Sequence, residues 1–234
     1  MRLLPAALFA VLLTAPAAAQ SVPDLVTRGV AAFDARNPAA ALKDYQAAMA
    51  IDSTSYEANW RASIAAVDIG KQTPDSVADP ARDSLYRLAE RYATRAVAAN
   101  PDGADGYFAL ANAIGRTSLT LGKKARVQRA TEIRAAALKA IELNPRQDGA
   151  FHVMGRWKAE IMRLSSFERI FAKSFLGGAV FNQASWDNAV AYMQRAIAIR
   201  PEFIYHHYDL ALIYIDTKKW SLARQQLEQI PALP

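Results

Sequence analysis

The chain has 234 residues, a formal net charge of +6 and no cysteine. The lack of cysteine excludes disulfides, thiolate chemistry, cysteine-based zinc sites and lipidation of an N-terminal cysteine. Abundant alanine and sparse β-branched residues favour close-packed helices over strands, and the length suits one domain or one repeat array.

The first residues have the pattern of a secretory signal peptide. Arg2 precedes an apolar run over residues 3–13, and small residues follow up to Ala19. A membrane anchor is the alternative, but a spanning helix needs about 20 apolar residues, which is more than this run offers. We therefore predict a cleaved signal peptide over residues 1–19, a mature domain over residues 20–234, and a periplasmic or secreted bacterial protein.

The rest of the chain repeats one pattern. An amphipathic helix end stopped by Ser or Pro recurs at Ser53, Pro101, Pro145 and Pro201, with a degenerate fifth copy at Pro234. Before each stop, small and large residues share one helix face, as Ala41, Tyr45 and Ala48 do. Single hairpins of this kind cannot bury their apolar faces alone, so neighbouring units must stack.

Three middle units are longer than an ordinary helical-hairpin repeat, which has about 34 residues. We predict insertions between the two helices of these units, at residues 71–80, 119–127 and 164–185. Asp79 followed by Pro80 is expected to open the helix after the first insertion. The third insertion is rich in Phe and is expected to hold a short helix of its own.

The small–large pattern resembles the tetratricopeptide repeat (TPR), most clearly at Leu210, Ala211, Tyr214, Trp220 and Ala223. Small residues are expected to let paired helices approach each other at Gly29, Ala62, Ala111, Gly155 and Ala211.

Three motifs extend the resemblance to the regulator of microtubule dynamics family, over residues 56–234: His-Val-Met-Gly-Arg-Trp at 152–157, Leu-Ser-Ser-Phe-Glu-Arg at 164–169, and Phe-Leu-Gly-Gly at 175–178. The resemblance implies an all-α, TPR-like helical-hairpin solenoid of about five divergent repeats, and a protein-interaction role. Some family members are also associated with organelle membranes and lipid binding. An exported bacterial protein would not meet tubulin, so the role in the family's name is not transferred.

In a TPR array the first helices of the units line a concave groove, which is the usual binding surface. The residues expected to face this groove are Asn59, Ser63, Phe108, Asn112, Arg116, His152, Arg156, Tyr208 and Leu212. Arg, Asn and His among them suit a carboxylate or phosphate, and the aromatic and aliphatic members suit apolar contact. The alternative is that they only solvate the inner surface or pack on the next helix.

Two further segments have two interpretations each. In Gly155-Arg156-Trp157, Gly155 and Trp157 are expected to serve packing, whereas Arg156 is not needed for packing and is the better candidate for binding. In the third insertion, an apolar stripe over Phe167, Ile170, Phe171 and Phe175 is expected to pack on the array; the alternatives are a lid over an amphiphile and a membrane-surface contact.

The positive charge is local. Between Arg116 and Lys139 the chain has seven Lys or Arg residues and one acid, Glu132, so this segment's excess equals the net charge of +6. An anionic partner is one interpretation, and a solvated helix face is the other. Nucleic acid is not expected, because an exported protein would not meet it and the segment lacks interleaved aromatic residues.

No catalytic motif, metal-ligand set or cofactor-binding loop is present in the sequence. The adjacent His206 and His207 would point about 100° apart on a helix, which makes a poor chelate. Two functions therefore remain: a non-catalytic scaffold whose groove binds a protein or peptide, and a carrier that holds an amphiphilic small molecule under residues 164–185.

The C-terminal helix is expected to expose an apolar strip at Leu222, Leu227, Ile230 and Leu233. A terminal repeat normally needs a polar outer face. We expect a partner or a second copy to cover this strip, as in a homodimer, or the natural chain to extend past Pro234. A strictly monomeric species in light scattering would argue against the first two.

Overall fold

A computed structural model describes residues 20–176 and 181–230, apart from the side chains at positions 123, 124, 175 and 176. The predicted signal peptide at residues 1–19 and the last predicted stop at Pro234 lie outside these ranges. Within them all regular secondary structure is helical, and no helix is both long and apolar enough to span a bilayer.

The described part of the chain contains five helical hairpins. The helices are α1 (Val22–Asp34), α2 (Pro38–Ile51), α3 (Tyr56–Gly70), α4 (Pro80–Ala99), α5 (Ala104–Ser118), α6 (Lys123–Leu143), α7 (Asp148–Arg163), α8 (Ser166–Leu176), α9 (Trp186–Ile199), α10 (Ile204–Asp216) and α11 (Trp220–Gln229). The first helix of each hairpin, here called the A helix, is α1, α3, α5, α7 or α10. The second, the B helix, is α2, α4, α6, α9 or α11. The predicted five-unit array is confirmed.

Local sequence explains where the helices begin. Asp79 caps α4: its carboxylate accepts hydrogen bonds from the backbone N–H groups of Ala81 at 2.9 Å and Arg82 at 3.2 Å. Pro80 occupies the first turn, where its missing N–H costs nothing. Asn37 and Pro38 open α2 in the same way. The predicted helix start at Asp79-Pro80 is confirmed.

The second predicted insertion is largely wrong. Only residues 119–122 connect α5 and α6, because helix begins again at Lys123. The segment from Lys123 is rich in good helix formers and has no Gly or Pro to interrupt it. The extra length of this unit therefore lengthens α6, which has 21 residues against 14 in α2.

Small residues bring paired helices together as predicted. A Cβ atom at Gly29 of α1 would lie 2.7 Å from Cδ1 of Tyr45 on α2. A Cβ atom at Gly155 of α7 would lie 2.9 Å from Cγ of Met193 on α9. Tyr45 and Met193 are buried, so the hairpins close by packing large side chains on glycine backbone.

The array curves with the A helices on the inside. Each A helix contacts the next one, in the pairs α1–α3, α3–α5, α5–α7 and α7–α10, whereas successive B helices make no comparable contact in the described residues. We call the surface of the A helices the concave face. Lys71, just after α3, places Nζ 5.2 Å from the ring centroid of Tyr205 on α10. The curvature therefore brings the second and fifth units within reach of each other.

The third insertion contains the expected short helix, α8, but packs differently from the prediction. Ala172 is fully buried, whereas Phe167 is 81% and Ile170 is 73% exposed. At 3.6 residues per turn, Ala172 lies about 140° from Phe167 and about 160° from Ile170 around the helix. The predicted packing of Phe167 and Ile170 is therefore wrong. Phe171 is partly buried, and the side chain of Phe175 lies outside the described residues.

The insertion is also in a different place from a groove lid. Helix α8 packs against α6, which is a B helix. Gln183, at the other end of the insertion, accepts a hydrogen bond from Arg134 of α6. The described part of the insertion therefore lies beside the B helices, which does not support the alternative in which the insertion covers the groove.

Candidate functional site on the concave face

Three cationic side chains from three successive units meet on the concave face. We call Lys71, Arg116 and Arg156 the basic cluster. Burial lowers the pKa of Lys71; the nearby carboxylate of Asp68 opposes this, and the charges of Arg116 and Arg156 add to the lowering. Partly desolvated cations held close together interact more strongly with an anion than dispersed surface charges do.

Two members of the basic cluster already have carboxylate partners at good distance. Lys71 Nζ lies 3.0 Å from Oδ1 of Asp68. Arg116 Nη1 lies 3.3 Å from Oδ2 of Asp75, an aspartate whose side chain is 49% exposed. An incoming anion could therefore share or displace these partners at the edge of the face.

Arg156, in contrast, has no carboxylate partner within hydrogen-bond distance among the described residues. Its nearest carboxylate is Asp209, with Nη1 to Oδ2 at 3.6 Å, which is too long for a hydrogen bond. Among the described residues the guanidinium of Arg156 donates no hydrogen bond, and its side chain is 41% exposed. Arg156 therefore has N–H donors that can serve a ligand in the bidentate geometry that suits a carboxylate.

Asp209 belongs to a row of four polar side chains that we call the histidine chain: Asp209, His152, His206 and Asp148. Asp209 Oδ2 lies 2.9 Å from His152 Nε2. His152 Nδ1 lies 2.9 Å from His206 Nδ1, and His206 Nε2 lies 2.9 Å from Asp148 Oδ2. The chain crosses between α7 and α10 and ends beside Arg156.

The electrostatics of the histidine chain follow from its burial. Burial lowers the pKa of His152, and the hydrogen bond to Asp209 acts in the opposite direction. Burial also opposes ionisation of Asp209 and Asp148, but the hydrogen bonds from His152 and His206 hold the pKa values of these two carboxyls below their usual range.

The other predicted groove residues divide into packing and surface. Asn59 is fully buried, and its side-chain N–H group donates to the carbonyl oxygens of Ser53 at 3.0 Å and Ser55 at 2.8 Å. The prediction that Asn59 and the equally buried Ser63 face the groove is corrected, because both side chains are fully enclosed by the array and expose nothing to a ligand.

Phe108 serves packing between units. A Cβ atom at Gly149 would lie 2.9 Å from Cδ2 of Phe108, so its ring rests on the start of α7. Asn112 and Leu212 are partly buried, and Tyr208 is 44% exposed. Tyr208 thus remains the aromatic surface residue that was predicted there.

The rest of the Gly-Arg-Trp motif has the expected packing role. Trp157 is 5% exposed, and its indole N–H donates to the carbonyl oxygen of Ala130 at 2.7 Å. The predicted basic segment is divided by the fold: Arg129 pairs with Glu90 and Lys139 pairs with Glu142, whereas Arg116 reaches the basic cluster.

Sequence reasoning missed five residues of this surface: Lys71, Tyr205, His206, Asp209 and Asp148. Lys71 was placed in a loop, and His206 was considered only as a metal ligand. One signal was available, because His152 and His206 occupy the A helices of adjacent units and could have been tested as facing positions. Across the described ranges no group of three or more His, Asp or Glu residues is arranged to hold a metal ion.

The last hairpin exposes apolar surface, as predicted. Leu222 and Leu227 of α11 are 39% and 40% exposed, and Trp220 is 61% exposed. A shallow cavity of about 500 Å³ lies here, lined by Ile215, Trp220, Ala223 and Leu227 among others. Ile230 is partly buried, and Leu233 lies outside the described residues. That a second copy covers this apolar surface of α11 stays a prediction.

Comparison with known proteins identifies the family. The family described as regulator of microtubule dynamics protein 1-3 matches residues 31–234. The chain belongs to this family. Regulator of microtubule dynamics protein 1 of Bos taurus is 28% identical over 152 residues, which are 65% of this chain and 47% of that protein. The human protein of the same name is 27% identical over 144 residues, 62% of this chain and 45% of that protein. The chain thus matches about half the length of these relatives.

Solved structures show the same fold. A thermophilic TPR protein of Thermus thermophilus superposes with a TM-score of 0.64 at 17% identity, covering 90% of both chains. The pilF protein of Pseudomonas aeruginosa superposes with a TM-score of 0.54 at 13% identity, covering 90% of this chain and 75% of that one. Arrays of this kind present an extended concave surface.

Proposed function

We propose that this protein is a non-catalytic scaffold whose concave face binds a peptide segment or terminus of a partner protein, with a carboxylate of that segment on Arg156. The observation that carries the proposal is the position of Arg156. It lies inside the curve, beside Lys71 and Arg116, with N–H donors that the described residues do not use.

The aromatic surroundings suit a peptide. Tyr205 and Tyr208 are 50% and 44% exposed on α10. Exposed tyrosines give large contact area at low entropic cost together with a polar hydroxyl, and they are enriched where proteins bind one another. A bound segment would therefore meet aromatic contacts next to the cations that recognise its carboxylate.

The alternative is an amphiphile carrier with its ligand under residues 164–185. Its support is weaker, because the described part of this insertion packs on α6 rather than over the concave face. The surface at Arg156 also carries carboxylates and cations, which favour a polar main chain and terminus over an acyl chain.

The proposal includes export through cleavage after Ala19, which the N-terminal sequence supports. N-terminal sequencing of protein from the native host tests this step. A mature chain starting at Gln20 supports export, and one starting at Met1 in the cytoplasm contradicts it. The relatives' role in microtubule dynamics is not part of the proposal.

The test is a selection of random octapeptides with free carboxyl termini on the purified mature protein. Dissociation constants of the selected peptides are then measured for the wild type, Arg156→Gln and Arg146→Gln. Arg146 is a matched control, because it is exposed in the turn before α7. Loss of charge-assisted hydrogen bonds worth about 1.5–3 kcal/mol should weaken binding at least about tenfold for Arg156→Gln. Equal binding by all three proteins, or no selected peptide, contradicts the proposal.

A further inference from the structure

The histidine chain requires more protons than two neutral imidazoles provide. It contains three heavy-atom contacts at 2.9 Å, and each needs one proton between its two atoms. Ionised carboxylates and unprotonated ring nitrogens only accept hydrogen bonds, and a neutral imidazole carries a single N–H. Three satisfied contacts therefore require one additional proton, which makes the His152–His206 pair an imidazole–imidazolium pair.

When this proton leaves, one contact must fail, and the surroundings indicate which one. His206 is fully buried, with the ring of Phe203 packed edge-on at 4.7 Å, so it cannot turn away easily. Asp148 stays attached to it with additional support from the charge of Arg200. Asp209 has a second cation within a short movement, because Arg156 Nη1 lies 3.6 Å from it.

We infer that His206 and Asp148 are positioning residues of the binding site, and that the proton shared by His152 and His206 keeps Asp209 on His152 and leaves Arg156 available to an anionic ligand. With the proton gone, His152 donates through Nδ1 to His206 and presents an unprotonated Nε2 to Asp209. The carboxylate then moves to Arg156 and competes with the ligand. This inference rests on the proposed function, and it makes binding of a carboxylate dependent on pH.

Other charged and titratable groups surround the histidine chain, on every element packed against it. They are Lys71 after α3, Asp105 and Arg116 on α5, Arg156 on α7, Arg200 after α9, and Tyr205 on α10. Arg and Tyr ordinarily keep their charge state between pH 5 and 8. Lys71 needs a control, Lys71→Arg, because burial lowers its pKa. Asp105 needs a control, because burial raises its pKa and it lies near Asp148.

The protonation of the His152–His206 pair sets the direction in which peptide affinity changes with pH. The additional proton is present at low pH, so a carboxylate peptide binds more tightly there. Burial lowers the pKa of His152, which places the change below the ordinary histidine value of about 6.5. We expect the affinity of a selected octapeptide to fall about tenfold between pH 5 and pH 7.5, since a competing charged hydrogen bond is worth about this factor.

Three variants separate positioning from general structure. In His206→Leu, neutral His152 has no ring partner and keeps its Nε2–H on Asp209, so binding should be tight at both pH values. In His152→Leu, Asp209 has only Arg156, so binding should be weak at both. His207 is the matched control: it is equally buried but bonds to Gln226 and the carbonyl of Pro201, outside the chain. His207→Leu should keep the wild-type profile, as should Asp105→Asn.

The outcomes are distinguishable from those of the proposed function. Binding that depends on Arg156 but does not change with pH overturns this inference and leaves the proposed function standing. A pH dependence that persists in His206→Leu, or disappears in His207→Leu, also overturns it. If no octapeptide binds, the proposed function fails, and nitrogen NMR shifts of the imidazoles still decide on the shared proton. At low pH the signals should show one proton between the Nδ1 atoms of His152 and His206, and two Nδ1 atoms without a proton between them contradict the inference.

Discussion

The packing of large side chains on helix glycines gives a sharp test of the array. Gly29 and Gly115 both lie within A helices, so Gly→Ala makes the same chemical change in the same secondary structure at both. A Cβ atom at Gly29 would lie 2.7 Å from Cδ1 and 2.9 Å from Cζ of Tyr45. A Cβ atom at Gly115 would have nothing within 4 Å.

The expected magnitudes have opposite signs. Alanine is favoured over glycine inside a helix by about 1 kcal/mol, and this should appear in full at Gly115. Overpacking costs about 1–3 kcal/mol, and the upper value applies at Gly29 because Tyr45 is 1% exposed and cannot move aside. Gly29→Ala should therefore lose about 2 kcal/mol, and Gly115→Ala should gain about 1 kcal/mol.

Urea denaturation followed by circular dichroism measures both variants against the wild type. In thermal unfolding, Gly29→Ala should lower the Tm by about 4–8 °C, at about 2–4 °C per kcal/mol for a chain of this length. The double variant Gly29→Ala/Tyr45→Leu should lose less than the sum of its single changes, because the smaller side chain relieves the overlap. Equal shifts at Gly29 and Gly115, or additive effects in the double variant, would refute the close α1–α2 packing.

Three other changes follow from single side chains. Asp44→Asn should lower the free energy of unfolding by about 1 kcal/mol at pH 7 and leave it unchanged near pH 2. The reason is that the hydrogen bond from Arg28 lowers the pKa of Asp44, so the stabilisation by this pair is lost as pH falls through that pKa. A difference in urea midpoints that stays constant across this range contradicts the prediction. Tyr86→Phe should raise stability by about 1 kcal/mol, because the fully buried hydroxyl has no partner among the described residues; a loss of stability would reveal one. Phe167→Ser should change the free energy of unfolding by less than about 0.5 kcal/mol, whereas Trp157→Ala should lower it by about 3–5 kcal/mol. Similar losses for both variants would mean that α8 packs through Phe167.

Much of the fold follows from local sequence. Recurring helix ends, the small–large pairs such as Gly29 with Tyr45, and the Asp79-Pro80 start are set by neighbouring residues and helix period, so they could be predicted. The length of α6 was missed because its additional residues are ordinary helix formers with no punctuation to mark them. Exposed Phe167 was missed because periodicity defines an apolar stripe without showing which neighbour it meets.

Only some residues of the site could be predicted, because the repeat frame shows which residues lie on A helices but not which of them meet. Arg116, His152 and Arg156 could be found, because the repeat frame places them on A helices. His206 and Asp209 lie on the adjacent A helix, α10, and were missed because His206 was considered only as a metal ligand. Lys71 could not be predicted, because it reaches Arg156 and Tyr205 through the curvature of the whole array. Curvature sums small rotations between units, and no local pattern in one sequence encodes it.

The central claim is that Arg156 recognises a carboxylate on the concave face. The most direct measurement is a thermodynamic cycle with one selected octapeptide in its free-carboxyl and C-terminally amidated forms, each titrated against the wild type and Arg156→Gln. Amidation should weaken binding to the wild type at least about tenfold and should change binding to Arg156→Gln by less than about twofold. If amidation weakens binding to both proteins equally, the carboxylate is recognised elsewhere and the account is wrong.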